Sequence, residues 1–318
     1  MAQVETVRGP VDVDSLGCTL MHEHVFILNE EVRRNYPADW SEDDRVDDAI
    51  AKLNALAARG CKTIVDPTVV GLGRDIKRIM RVADGADLNI IVATGLYTYN
   101  EVPFYFKYRL PGEDGVDPMV SMFVSDIRDG ITGTSVKAAF LKCAIDDQGL
   151  TPGVERVLRA VSRAHAETGA PITVHTHPHS GTGRDAIRVL REEGADLTKV
   201  VLGHSGDTTD VDYLSELADA GCMLGMDRFG LDIITPFEDR VATVAAMCER
   251  GYASSMVLSH DAACYIDWFP QEAIPLFFPA WNYEHLFDDV LPALSSRGVT
   301  EEQINAMLVD NPRRYFGG

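Results

Sequence analysis

The stretch Thr19-Leu20-Met21-His22-Glu23-His24-Val25-Phe26-Ile27 sets two imidazoles two residues apart inside an apolar, strand-like run. Successive side chains of a strand point to opposite faces, so His22 and His24 fall on the same one. Such a pair can hold a metal ion without distorting the backbone, or it can be two hydrogen-bonded structural histidines. The run alone leaves both readings open; repetition downstream weighs for the first.

The run occupies 19–26, and seven more follow at 63–66, 89–97, 138–145, 171–177, 199–204, 223–228 and 256–261. Between them, stretches such as 46–59, 153–168 and 211–220 carry apolar residues at helical spacing. Gly60, Gly169, Gly194, Gly221 and Gly251 sit just past such stretches, as helix stops do. Strands alternating with helices predict a parallel sheet, either a closed barrel or an open doubly wound sheet. The placement of polar residues decides. The first run holds His22 and His24, the second ends in Asp66, the third in Tyr97, and the fourth contains Lys142. The fifth ends in His175 and His177, the sixth in His204, the seventh in Asp227-Arg228 and the eighth in His260-Asp261. An open sheet would gather its chemistry at one switch point, whereas a barrel brings every strand end into one ring. The prediction is a (β/α)8 TIM barrel forming one domain over 1–318, with its metal site at the C-terminal strand ends. A short hairpin over 3–14, turning around Arg8-Gly9-Pro10, precedes it.

The bulk properties agree. With 318 residues, 46% hydrophobic and 25% charged, the chain has ample material for a core. A formal net charge of -20 argues against a nucleic-acid partner, which needs a basic face. No run reaches the length of a membrane span, and the N-terminus lacks a signal-peptide pattern. The six cysteines are scattered without a CxxC pair, which suits reduced thiols in a cytoplasmic protein.

His22, His24, His175, His204 and Asp261 form a donor set suited to Zn²⁺, Mn²⁺, Co²⁺ or Fe²⁺. Five donors exceed one tetrahedral catalytic ion and suggest a pair. Lys142 lies in an apolar strand, where burial favours the neutral amine. A neutral lysine can react with CO2 to give a carbamate able to bridge two cations; the alternative is a lysine reaching out to solvent from the strand end. His165 and His260 read as packing residues, and His177, His179 and His285 as ordinary polar ones. Asp66 and Asp207 could orient a histidine or satisfy a backbone amide. Two long segments, the aromatic 97–117 and the apolar 262–283, either cover the barrel rim or a subunit contact, or line a channel for a substrate tail.

The chain resembles the phosphotriesterase family of the amidohydrolase superfamily, and most closely its phosphotriesterase-like lactonase branch. The matching segments are MHEHVF, ATGLYTYNEVPFYF, KAAFLKCA, TVHTHPH, LGHSGDT, GMDRFGLD, SHDAACYIDW and DNPRRYF, in family order along nearly the whole chain. The resemblance implies that His22 and His24 bind one metal and His175 and His204 a second, more exposed one. It makes Lys142 the carbamylated bridge, and it has Asp261 bind metal and handle the proton of a bridging hydroxide. Tyr97 and Arg228 match substrate-site residues, and Trp268 falls in the loop shaping an acyl pocket. The implied activity is quorum-quenching hydrolysis of N-acyl-homoserine lactones and other lactones, with weak phosphotriesterase activity, by a homodimer holding two divalent cations per chain. Zinc is the first choice, with cobalt, iron or manganese as alternatives. A dedicated organophosphate phosphotriesterase and a non-catalytic metal-binding protein are the competing readings.

Overall fold

The computed structural model describes residues 2–37, 40–109, 111–112 and 115–317. Residues 110, 113 and 114 of the aromatic segment, and residues 1, 38, 39 and 318 of the predicted domain, lie outside the described residues. The chain opens with an antiparallel hairpin, β1 (Gln3–Thr6) and β2 (Gly9–Asp12). Its turn falls at residues 7 and 8, so Gly9 and Pro10 belong to the second strand rather than to the turn. The Arg8 guanidinium donates to the carbonyls of Ala83, Ala86 and Leu88, which clamps the hairpin beneath the barrel.

The barrel strands are β3 (Thr19–Leu20), β4 (His24–Ile27), β5 (Thr63–Asp66), β6 (Asn89–Gly95), β7 (Phe140–Ala144), β8 (Ile172–His175), β9 (Val200–Gly203), β10 (Met223–Met226), β11 (Met256–Leu258) and β12 (Ala263–Ile266). An eight-stranded parallel sheet runs in the order β11-β10-β9-β8-β7-β6-β5-β3, and β4 pairs in parallel with β12. The first predicted run is therefore two strands. The chain breaks at Met21–Glu23, pairing with β5 before the break and with the far end of the barrel after it. The Asp261 N–H donates to the His22 carbonyl at 3.0 Å and the His24 N–H to the Ala262 carbonyl at 2.8 Å. Those bonds close the ring.

Helices α1 (Glu42–Ala58), α2 (Ile76–Gly85), α3 (Pro118–Arg128), α4 (Pro152–Thr168), α5 (Thr182–Glu192), α6 (Val211–Asp219) and α7 (Phe237–Glu249) follow successive strands. Their ends obey local chemistry. Thr151 caps the Val154 N–H of α4, Pro152 occupies its first turn, and Gly169 stops it at φ 73. Inside the barrel, Met21, Val65, Ile91, Phe140, Val201 and Met223 fill the space, with Tyr315 of α8 (Asn311–Gly317) in the same cluster. Alternation along β7 puts Lys142 on the side of Phe140, one layer nearer the C-terminal rim. Gly95 sits beside it at φ 147, where a Cβ would meet the Lys142 carbonyl oxygen at 1.8 Å. Only glycine fits there. No described helix is long and apolar enough to cross a membrane.

Candidate metal centre

The strand ends deliver His22, His24, Lys142, His175, His204 and Asp261 to one buried cluster. His22 and His24 do not share a strand, yet both converge. Their Nε2 atoms lie 3.3 and 3.2 Å from Asp261 Oδ1. Lys142 is buried, with Nζ 3.5 Å from His22 Nε2. The rings of His22 and His204 are 4.9 Å apart, and those of His175 and His204 4.4 Å. Among the described residues, His22, His24 and Asp261 are close enough to share an ion, as are His22, His204 and Asp227.

Acceptors behind the rings fix how they face inward. Asp227 is fully buried; its Oδ2 lies 2.9 Å from His22 Nδ1 and its Oδ1 3.0 Å from His204 Nδ1. Asp227 Oδ1 also accepts the His204 backbone N–H at 2.7 Å. Gly203 and Gly225 make the room, since a Cβ at Gly225 would meet Asp227 Oδ2 at 2.4 Å. Thr68 donates to Asp66 and accepts from His24 Nδ1 at 2.7 Å. Asp66 also takes the Val25 N–H, so both readings of that residue hold. With Nδ1 committed on His22, His24 and His204, their Nε2 lone pairs face the centre. On His175 the roles reverse: Nε2 meets Asp146, and Nδ1 lies 3.3 Å from the Tyr97 hydroxyl.

This arrangement fits cations. Two ring lone pairs aimed at one carboxylate oxygen repel it unless a positive charge sits between them. Burial, with Lys142 nearby, lowers the His22 pKa, and burial with Arg228 lowers that of His204 well below the usual value. Burial takes His175 down to about 4. These three rings are neutral, the form that ligates metal. Burial also opposes charge on His24, but Asp261 and Asp66 overcome it and raise its pKa to about 8, so a proton fills the gap there. Burial would raise the Asp261 carboxyl; the hydrogen bond from His24 and the charge of Arg228 hold it well below the ordinary carboxylate range. Burial lowers Lys142 to about 8.

Arg228 bridges Asp261 Oδ2 and Asp207 Oδ2 at 2.9 Å each, and Arg240 holds the other oxygen of Asp207. Arg228 thus pairs with acids other than its neighbour Asp227. Asp261 and His204 are left-handed, at φ 56 and 64. Such strain in residues bearing a Cβ marks functional sites.

A cavity of about 240 Å³ opens over the cluster. Its lining includes the polar Tyr97, Tyr99 and Arg228 and the apolar Ile233, Ile234, Trp268, Phe269, Phe278 and Trp281. The segment from 262 folds into β12 and a short helix, Ile274–Phe277, and several residues from 266 to 281 face this cavity. His177 bonds Ser180 and His165 bonds the Ala170 carbonyl, while the His260 ring turns to Glu23 instead of joining the cluster. Sequence reasoning gave no site role to Asp227, Thr68, Asp146 or Tyr99. For Asp227 the signal available was its place at the end of the seventh strand-like run.

The profile of the phosphotriesterase family matches residues 2–316. The phosphotriesterase structure from Mycobacterium tuberculosis is 60% identical, with a TM-score of 0.97 over 99% of this chain and 98% of that one. An aryldialkylphosphatase of Saccharolobus solfataricus is 39% identical over 97% of this chain and 98% of its own. A structure described as molecular engineering of organophosphate hydrolysis activity from a weak promiscuous lactonase template is 33% identical, with a TM-score of 0.91 over all of both chains.

Proposed function

The chain belongs to the phosphotriesterase family of hydrolases, and from that premise we propose that it is a metal-dependent lactonase. Its substrates are N-acyl-homoserine lactones and other lactones with apolar tails, and organophosphate triesters are slow side substrates. The observation that carries this reading is the lining of the cavity: Asp261, Tyr97 and Arg228 share it with the apolar side chains of Ile233, Ile234, Trp268, Phe269 and Phe278. The polar groups suit a lactone ring and the apolar ones its acyl chain.

His22, His24 and Asp261 would hold one divalent cation, and His175 and His204 a second. Lys142, with Nζ 3.5 Å from His22 Nε2, lines the same cavity as His175 and His204. Its neutral amine can add to CO2, forming an N–C bond as one C=O π bond opens and one N–H proton is released, and the carbamate would supply anionic oxygens as cation ligands. A cation pair there would lower the pKa of a water molecule and polarise the ester carbonyl. Tyr97 keeps its proton, because burial raises its pKa well above the usual value, so it can donate to the oxyanion. Asp261 accepts the proton of the attacking water and passes it to the leaving alkoxide, oriented throughout by Arg228. Trp268, Phe269 and Ile233 hold the tail and exclude water.

The similarity to an aryldialkylphosphatase favours a second reading, a dedicated organophosphate hydrolase. The zinc-loaded enzyme separates them by its kcat/KM on a long-chain homoserine lactone and on a paraoxon-like triester. A lactone preference, abolished in Asp261→Asn, is expected; preference for the triester would overturn the lactonase reading.

A further inference from the structure

Between the two imidazoles of the opening motif stands Glu23, fully buried and without a part in the chemistry above. Its carboxylate grips the backbone on both sides of Asp261. Oε1 accepts the His260 backbone N–H at 2.9 Å and His260 Nδ1–H at 2.6 Å, while Oε2 accepts the Ala262 N–H at 3.1 Å. The amide between them, that of Asp261, donates to the His22 carbonyl at 3.0 Å. Three successive amides are thus anchored to two successive residues across the barrel seam. Asp261, inside this bracket, has φ 56. A residue with a Cβ holds that conformation only where its surroundings over-determine it.

His260 is fixed from its other side as well. Its Nε2 accepts the Leu286 N–H at 2.9 Å, and its carbonyl accepts Trp281 Nε1–H at 3.0 Å. The Leu286 bond sets the tautomer, leaving Nδ1 as the donor to Glu23.

We propose that Glu23 is a positioning residue: through His260 and Ala262 it holds Asp261 in the left-handed conformation that aims its carboxylate at His22 and His24. The proposal rests on the reading of Asp261 as the proton carrier. A glutamine at 23 keeps the size but turns an NH2 toward one set of donors, so the bracket opens on one side of Asp261. His260→Leu removes the Nδ1 contact outright. His260→Asn sets its Nδ2 roughly where Nδ1 stood and keeps a donor for Glu23.

The test compares zinc-loaded wild type, Glu23→Gln, His260→Leu and His260→Asn. We expect Glu23→Gln and His260→Leu to lose about 100-fold in kcat on a long-chain lactone, the scale of loss that an ångström of misplacement causes. KM, measured with zinc in excess, should stay within about threefold, as for an interaction made only in the transition state, and zinc should bind more weakly only where Asp261 is displaced. Crystal structures of those two should show Asp261 out of positive φ or its carboxylate displaced, and His260→Asn should recover most of the lost kcat. An unmoved Asp261 in Glu23→Gln overturns the proposal. So does loss of zinc with Asp261 in place, which would make Glu23 a support for its neighbouring imidazoles instead. Should Glu23→Gln fail to fold, the two His260 variants decide by the same readouts. If the wild type turns over neither a lactone nor a paraoxon-like ester, the functional reading fails, while the Asp261 backbone still decides the positioning claim.

Discussion

His175 shows what burial does to a single imidazole of the cluster. Burial, reinforced by the charges of Arg228 and Lys142, draws its pKa from 6.5 to about 4 despite its bond to Asp146. The unfolded chain takes up a proton below 6.5 that the folded one refuses until about 4. Stability of the cation-free protein therefore falls as pH drops through that window, by about 3 kcal/mol from this ring alone. His22 and His204 are lowered in the same direction and add to the loss. His24 has the opposite sign: raised to about 8, it stabilises below 6.5 and its contribution is lost as pH rises through 8. The loss from Asp146, whose pKa is held below 3.8, comes only at lower pH. Urea unfolding of the cation-free protein from pH 8 to 4 checks this. The acid limb should be steep and should flatten in His175→Asn; a level profile would show these rings to be solvated. The residues that cluster at the rim were legible in the sequence because a barrel brings its strand ends into one ring, where His204 and Asp261 can be counted off. Their orienting partners were not. Whether Asp227 faces a ring or solvent depends on strand register and on the space left by Gly203 and Gly225, and a run of letters carries neither.

At the scale of elements, the sequence marked where strands lie but not that the first would break. A continuous strand over 19–26 would have needed one partner. The barrel offers β5 to its first half and β12 to its second, and the break at Met21–Glu23 lets Glu23 reach 260–262. Leaving β4, the chain reaches α1 through a segment held by a residue that periodicity would have placed on a helix surface. The Arg78 side chain of α2 is 1% exposed and pairs with Glu30 at 2.8 Å and Glu42 at 2.9 Å. Its guanidinium carbon lies 5.5 Å from the Phe26 ring centre and 5.0 Å from that of Trp40. Arg78→Met removes both bonds, but Glu30 keeps Arg33 and Arg34 and Glu42 is partly solvated, so the cost should be about 2 kcal/mol, below that of breaking a fully buried pair. Urea unfolding measures the cost, and amide exchange in residues 28–36 should quicken at the same time. An unchanged midpoint would mean that the acids find water instead and that the segment is held by packing alone.

Across the whole molecule, the ligand set has an unequal placement. His22 and His24 come from the start of the barrel and Asp261 from its end, whereas Lys142, His175 and His204 belong to adjoining central strands. A cation shared by His22, His24 and Asp261 would therefore cross-link the closing seam, adding to the main-chain bonds that join its two edges. A cation at a hundred times its dissociation constant stabilises the folded state by about 2.7 kcal/mol. For a chain of this length that corresponds to a rise in Tm of roughly 5 °C. Chelation should reverse it, and the loss should be uneven. In the stripped protein, His24 takes its proton and the seam relies on its backbone bonds and Glu23, so exchange at the amides of His24, Asp261 and Ala262 should quicken most. The amides of β7 to β9, flanked by strands on both sides, should stay protected. Hydrogen exchange with and without chelator separates the alternatives. Uniform quickening would place the cations' effect on global stability alone, and no quickening at the seam would remove His22, His24 and Asp261 as a cross-linking ligand set.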